Sequence, residues 1–141
     1  MLFRSLLDWR WHDTGVVDAL VKRDDVTVHA RSVFLQGLLA ANDSTLWPKV
    51  PGTDAKTLVA WLARTARELG RESVADLALA YARAQDWIDG VVVGMETENQ
   101  LETNLALCTR PALPREACKI IEETRPRVPA ALLDPARWPK R

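Results

Sequence analysis

Apolar residues along this chain fall into two kinds of pattern, short continuous runs and stripes at helical spacing. The clearest run, Val91-Val92-Val93, stops at Gly94, and three residues later Thr97 opens a segment in which Leu101 and Leu105 recur one helical turn apart. The stretch from Trp87 to Leu107 therefore predicts a buried strand turning into a helix. Thr97 and Gln100 stand three apart, as an N-cap and its reciprocal partner do, which places the helix start. The first amides of such a helix lack partners within it and point at the turn. There they can hold a phosphate or another anion, although most capped helices bind only water.

The remaining segments are read in the same way. Residues 1–7 are apolar apart from Arg4 and Ser5 and fit either the stub of a strand or an unstructured start. Thr14 caps an expected helix over 14–23 carrying Val16, Val17, Leu20 and Val21 on one face. Residues 26–34 bring β-branched side chains in quick succession and predict a strand, left through Gly37. Residues 42–52, with Trp47-Pro48 and Pro51-Gly52, read as a surface connection. Thr53 starts a long helix with Leu58, Val59, Leu62, Ala66 and Leu69 inward, closed by Gly70. Ser73 and Asp76 begin the next, through Val74, Leu77, Ala78 and Tyr81 to about Gln85. Pro114 suits the first turn of a final helix bearing Ala117, Cys118, Ile120 and Ile121, and Pro126 stops it. The proline-rich tail, 127–141, reads as irregular chain laid over the surface.

Two or three strands and five helices follow. The strands run apolar without clean alternation, as strands buried on both faces of a parallel sheet do, so the fold class is α/β. A sheet of so few strands exposes its edges and cannot cover its own faces. It wants more strands than the chain supplies.

Composition narrows the field. The 141 residues make one domain's worth of chain, and nineteen basic against nineteen acidic residues leave no net charge to favour nucleic acid or an anionic membrane. Six tryptophans are scattered rather than interleaved with cations, which fits packing. Two cysteines, Cys108 and Cys118, are too few for a disulfide framework and lack metal spacing, so a reduced, cytoplasmic protein is the expectation. Arg4 and Asp8 interrupt the N-terminal apolar residues, and no apolar run approaches the ~20 residues of a membrane helix.

Candidate chemistry is sparse. His12 and His29 are the only histidines and have no Cys or carboxylate pattern to make a metal site of them. Tyr81, the only tyrosine, sits at a helical apolar position and reads as core. Asp8 and Arg10 suit a local ion pair, and Arg64, Arg67, Glu68, Arg71 and Glu72 a solvated helix face with pairs at helical spacing. No nucleophile, base and orienting acid can be assembled from the rest.

Three segments resemble one family. Residues 30–39, Ala-Arg-Ser-Val-Phe-Leu-Gln-Gly-Leu-Leu, look like the seventh strand and following loop of aldo/keto reductases. Val92-Val93-Gly94 followed by Gln100-Leu101-Glu102-Thr103-Asn104-Leu105 looks like the eighth strand and the helix embracing the adenosine end of the cofactor. Residues 6–11, Leu-Leu-Asp-Trp-Arg-Trp, are similar to the exit from the sixth strand. The resemblance implies a (β/α)8 barrel, of which this chain would be the C-terminal half, since the full barrel needs ~250 residues. It also implies one partial domain over 1–141 and an NAD(P)-dependent reductase of aldehydes or ketones. The family's catalytic tyrosine, lysine, aspartate and histidine come from earlier strands and have no counterpart here.

What carries over is the cofactor side. Ser32, Phe34 and Gly37 match the loop approaching the pyrophosphate, and Gly94, Glu96, Gln100 and Asn104 match positions around the adenosine ribose and adenine. For Ser32 and Gly37 a plain strand-exit turn is an equal reading. Arg31 stands where an aromatic usually stacks on the nicotinamide, and Thr103 where a glutamate usually precedes the asparagine. Glu96 falls where a small hydroxyl residue or a cation meets the 2′-phosphate, so NAD is expected over NADP. The expected function is thus a truncated reductase domain that grips a nicotinamide nucleotide without turning it over. The alternative is a non-catalytic interaction module pairing through its open sheet edge with another copy or a complementary barrel fragment, and a third is a remnant without function.

Overall fold

Side chains that accept from otherwise unpartnered amides set the starts of the three longest well-capped helices. The computed structural model describes residues 5–139. In chain order its helices are α1 (Val16–Val21), α2 (Leu38–Ala41), α3 (Ala55–Glu68), α4 (Val74–Arg83), α5 (Glu98–Thr109) and α6 (Arg115–Thr124). Its strands are β1 (His29–Arg31) and β2 (Gly90–Val92), with 3-10 turns at Arg10–His12, Ser44–Leu46 and Pro135–Arg137. Asp54 accepts from the Thr57 amide, Ser73 from the Asp76 amide and Thr97 from the Gln100 amide. The long helix is thus capped one residue later than Thr53 and begins at Ala55, because the Asp54 carboxylate reaches the orphan amide. At α1 the Thr14 hydroxyl donates to the Trp11 carbonyl, so Gly15, at φ +66°, takes the cap position and the helix shrinks to six residues.

β1 and β2 lie side by side and parallel, with Ala30 opposite Val91 and Arg31 opposite Val92. The connection between them runs through α2, α3 and α4, as parallel neighbours require. The fold is therefore helix-rich with a two-stranded parallel sheet, as a partial α/β fold is. The strand expected over 26–34 contracts to three residues because Ser32 turns to φ +59° and ends it. Ser5 bridges Phe34 as an isolated antiparallel contact and no third strand forms among the described residues; residues 1–4 of the expected N-terminal stub lie outside them. Nor is the sheet buried on both faces. Ala30 is buried between exposed His29 and Arg31, while Val92 at the end of β2 is 54% exposed.

α4 is the centre of the core. Eight of its residues are buried, from Val74 to Ala82, and α2, α3, α5 and β2 all pack against it. Its small side chains Ala78, Ala80 and Ala82 let neighbours approach on several sides, while Leu77 and Tyr81 fill the space between them. Tyr81 is fully buried, and its hydroxyl donates to Glu122 of α6 at 3.0 Å. α3 presents Leu58, Leu62 and Ala66 as expected, together with Trp61 and Thr65.

Three expectations about burial need correction. Leu101 and Leu105 of α5 are 41% and 57% exposed, and only Leu107 of that helix is buried, because nothing among the described residues covers its outer face. Arg71 is not on a solvated face. Its guanidinium is nearly buried, 3.4 Å from Asp76, and donates to the Pro111 carbonyl at 2.8 Å. The tail is irregular apart from its 3-10 turn, but it is not laid over the surface. Val128, Leu132 and Leu133 enter the core, and the Trp9 indole donates to the Val128 carbonyl.

If the tail is core, Leu133→Ala should cost about 2–5 kcal/mol in urea unfolding, the range for emptying a buried leucine site. A tail merely resting on the surface would give under ~0.5 kcal/mol.

Candidate functional site

Parallel strands tend to bind ligands outside their C-terminal ends, where loops diverge to the following elements. Here β1 and β2 end side by side at Arg31 and Val92, and the loops that follow enclose a groove of about 650 Å³. Ser32, Phe34 and Gly37 line one wall and Gly94, Glu96, Gln100 and Asn104 the other. The fold thus brings all seven residues singled out in the sequence to one place. Sequence reasoning missed Gln36, Ala40 and Met95, which also line the groove. A Gln directly before the glycine of a strand exit was the available signal for the first of these.

The first wall is held in a strained shape. Ser32, Leu35 and Gln36 have φ of +59°, +46° and +56°, and Gly37 follows at +84°. A left-handed conformation costs a non-glycine residue roughly 1–2 kcal/mol. Burial offsets it, since Leu35 and Leu39 are fully buried and Leu38 nearly so, each worth about 1.5–3 kcal/mol. Three backbone bonds lock the turn: the Leu35 amide donates to the Ser32 carbonyl at 2.9 Å, Leu39 to Phe34 at 3.1 Å and Leu38 to Leu35 at 3.3 Å.

The second wall is the start of α5. Thr97 Oγ1 accepts from the Gln100 amide at 3.2 Å, as the spacing of Thr97 and Gln100 foresaw, but Gln100 Oε1 accepts from the Glu96 amide at 2.7 Å instead of the Thr97 amide, so the cap is not closed reciprocally. Gln100 and Asn104 sit one turn apart and share the groove face. Glu96 and Glu98 bring two carboxylates to the positive end of the helix. Among the described residues that line the groove, Arg31 and Glu96 are the ionisable ones. The lining offers hydrogen-bonding and charged groups for holding a ligand, and among the described residues it includes no Tyr, His, Lys or Cys.

The other reactive groups lie elsewhere. Burial, helped by Glu122, pushes the Tyr81 hydroxyl far above its ordinary range, so it stays protonated. Burial raises the Cys118 thiol to about 11, and lowers His12, whose Nε2 lies 3.9 Å from Glu122. Asp8 is fully buried and takes both contacts of the Arg10 guanidinium, at 2.8 and 2.6 Å, as the local ion pair expected from their spacing. Among the described residues no group of three or more His, Cys, Asp or Glu could hold a metal, and no helix is long and apolar enough to cross a membrane.

The sequence model of the Aldo/keto reductase family matches residues 5–126 of the chain. No curated protein and no solved structure matches it. The matched span runs from the N-terminal turns through α6 and includes both strands and every residue of the groove.

The glycines on the two walls should respond differently to a methyl group. At Gly37, with φ +84°, alanine should destabilise the chain by about 1–2 kcal/mol. Gly94 has no positive φ and no heavy atom within 4 Å of where a Cβ would stand, so Gly94→Ala should be neutral or slightly stabilising. Urea midpoints of the two variants check this, and equal effects would mean the strained turn is misplaced.

Proposed function

Because this chain belongs to the aldo/keto reductase family, we propose that its groove is the cofactor-gripping side of a reductase-type (β/α)8 barrel. In this reading β1 and β2 correspond to the seventh and eighth barrel strands, and residues 1–141 form one partial domain. The family makes this an oxidoreductase-type domain, and its members usually use NAD(P)H. The observation that carries the reading is the convergence of Ser32, Phe34, Gly37, Gly94, Glu96, Gln100 and Asn104 on one groove at the C-terminal ends of two parallel strands.

The groove fits a dinucleotide by size and chemistry. Its volume of about 650 Å³ lies within the ordinary range for cofactor clefts. The turn at Ser32 to Gly37 suits the pyrophosphate, and the wall formed by Glu96, Gln100 and Asn104 suits the adenosine end. When bound, the nicotinamide supplies hydride chemistry. This chain's residues would bind and orient it. A carbonyl must be polarised and protonated as it accepts hydride, and among the described residues the groove lining holds no Tyr, His, Lys or Cys for that task. The chain by itself is therefore proposed to hold nucleotide without reducing aldehydes or ketones.

Charge sets the preference between nucleotides. The Glu96 carboxylate, with Glu98 in the first turn of α5, repels a 2′-phosphate and can accept from free ribose hydroxyls. Calorimetric titration should give NAD a dissociation constant roughly tenfold below that of NADP, about 1.4 kcal/mol, and Glu96→Gln should narrow the gap. Tighter NADP would overturn the preference. In a panel of aldehydes with NADH or NADPH, turnover above a heat-treated control would overturn the non-catalytic reading.

One observation favours a second reading, an interaction module. Among the described residues no further strand pairs with either edge of the two-stranded sheet, and Val92, Met95, Leu101 and Leu105 are exposed apolar side chains on β2, the loop after it and α5. A second copy or a complementary barrel fragment would cover them. Size-exclusion chromatography with light scattering should then show mass rising with concentration, and Val92→Lys should lower it. A monomer at every concentration would remove this reading.

A further inference from the structure

Gln100 is bound in two directions at once. Its backbone amide donates to Thr97 Oγ1 at 3.2 Å, while its side-chain Oε1 accepts from the Glu96 amide at 2.7 Å. In the ordinary reciprocal cap the side chain three residues on reaches the amide of the cap residue itself. Here it reaches one residue further back, to Glu96. That difference ties Glu96, the loop residue just before the cap, directly to the first turn of α5. The tied residue is also one of two ionisable groups on the groove among the described residues.

We infer that Gln100 is a specificity-determining positioning residue, fixing the Glu96 backbone so that its carboxylate stays at the groove and discriminates against a phosphate on the ribose. The inference rests on the nucleotide reading above and adds to it how the selection is enforced. Specificity is a difference between two affinities, and repulsion contributes only while the repelling group is held in place. Met95, Glu96 and Thr97 are all exposed, so burial gives this segment little order of its own. Released from Gln100, Glu96 could swing its charge into solvent when a 2′-phosphate arrives. The charge would remain in the chain, but its effect on NADP would fade. Nucleotides with a free 2′-hydroxyl would be affected less, because rejection, rather than attraction, is what the tether enforces.

A direct contact between Gln100 and the nucleotide would behave differently. Removing such a contact weakens NAD and NADP together. Removing a positioning bond changes their ratio.

The test compares the wild type with Gln100→Ala, Gln100→Glu, Glu96→Gln and the double variant Gln100→Ala/Glu96→Gln. Titrations with NAD and NADP are combined with hydrogen exchange at the Glu96 amide. In Gln100→Ala that amide should exchange faster, and the NADP-to-NAD ratio of dissociation constants should fall by roughly threefold to tenfold, the worth of one hydrogen bond, mainly through tighter NADP. Gln100→Glu keeps an acceptor for the Glu96 amide, so protection should persist and the ratio should stay at or above the wild-type value. In the double variant, adding Gln100→Ala to Glu96→Gln should change the ratio little, because the group being positioned is already neutral. Equal weakening of both nucleotides in Gln100→Ala, or an unchanged ratio, overturns the inference and leaves the nucleotide reading standing. Failure of the wild type to bind either nucleotide overturns both.

Discussion

Two parallel strands of three residues each cannot hold themselves together in water, and the whole arrangement depends on the helix that backs them. α4 is buried on nearly every side, and the sheet, α2, α3 and α5 are each placed by contact with it. Alanines at 78, 80 and 82 keep the helix thin enough for that many neighbours, while Leu77, Leu79 and Tyr81 supply the apolar area. The groove inherits this order. One wall follows α2, the other follows α5, and both helices are seated on α4.

Charge fixes the two ends of that central helix. At its start Asp76 is buried against Arg71 at 3.4 Å and Arg110 at 3.0 Å, and its carboxylate also accepts from the Glu72 amide. At its end Arg83 donates to the Arg110 carbonyl at 2.7 Å. Arg71 donates to the Pro111 carbonyl, and the Leu113 amide to the Ala80 carbonyl. The loop from Arg110 to Leu113 is thereby laced along α4, which fixes the far end of α5. A carboxylate so enclosed would be costly alone, and its two guanidinium partners are what make its burial tolerable. The polar cluster joins residues from before α4 to Arg110 at the end of α5, and so sets where one wall stands.

Local signals were legible in the sequence and distant ones were not. Ser73 with Asp76, and Thr97 with Gln100, announce their helices because donor and acceptor lie three residues apart. The Asp8 and Arg10 pair is likewise a matter of two residues. Arg71 was misread because its partners include a carbonyl forty residues on, at Pro111. Leu132 and Leu133 were hidden by their proline-rich surroundings, which say how the backbone runs and nothing about what the side chains meet. Leu101 and Leu105 have core periodicity and still face outward, since periodicity names a face and only tertiary contacts decide whether it is covered. The seven groove residues were picked out through the family resemblance and not from local chemistry, which by itself left a plain strand-exit turn as an equal reading. What the structure adds is that they line one groove, a convergence that was legible in this way. The left-handed run at Leu35 and Gln36 was not, since neither residue type signals positive φ.

His29 and Gly90 stand opposite each other in the sheet, and a methyl group on Gly90 would lie 3.0 Å from the imidazole Cδ2. The ring therefore works as a steric key. Sliding one strand by two residues would keep the same faces together but would bring Ile88 or Val92 beneath the imidazole, where a branched side chain has no room. Sliding by one would turn the buried Ala30 position outward. Short strands ordinarily slip most easily, and this pair is denied its neighbouring alignments by a single glycine, so the two loop exits cannot drift past each other.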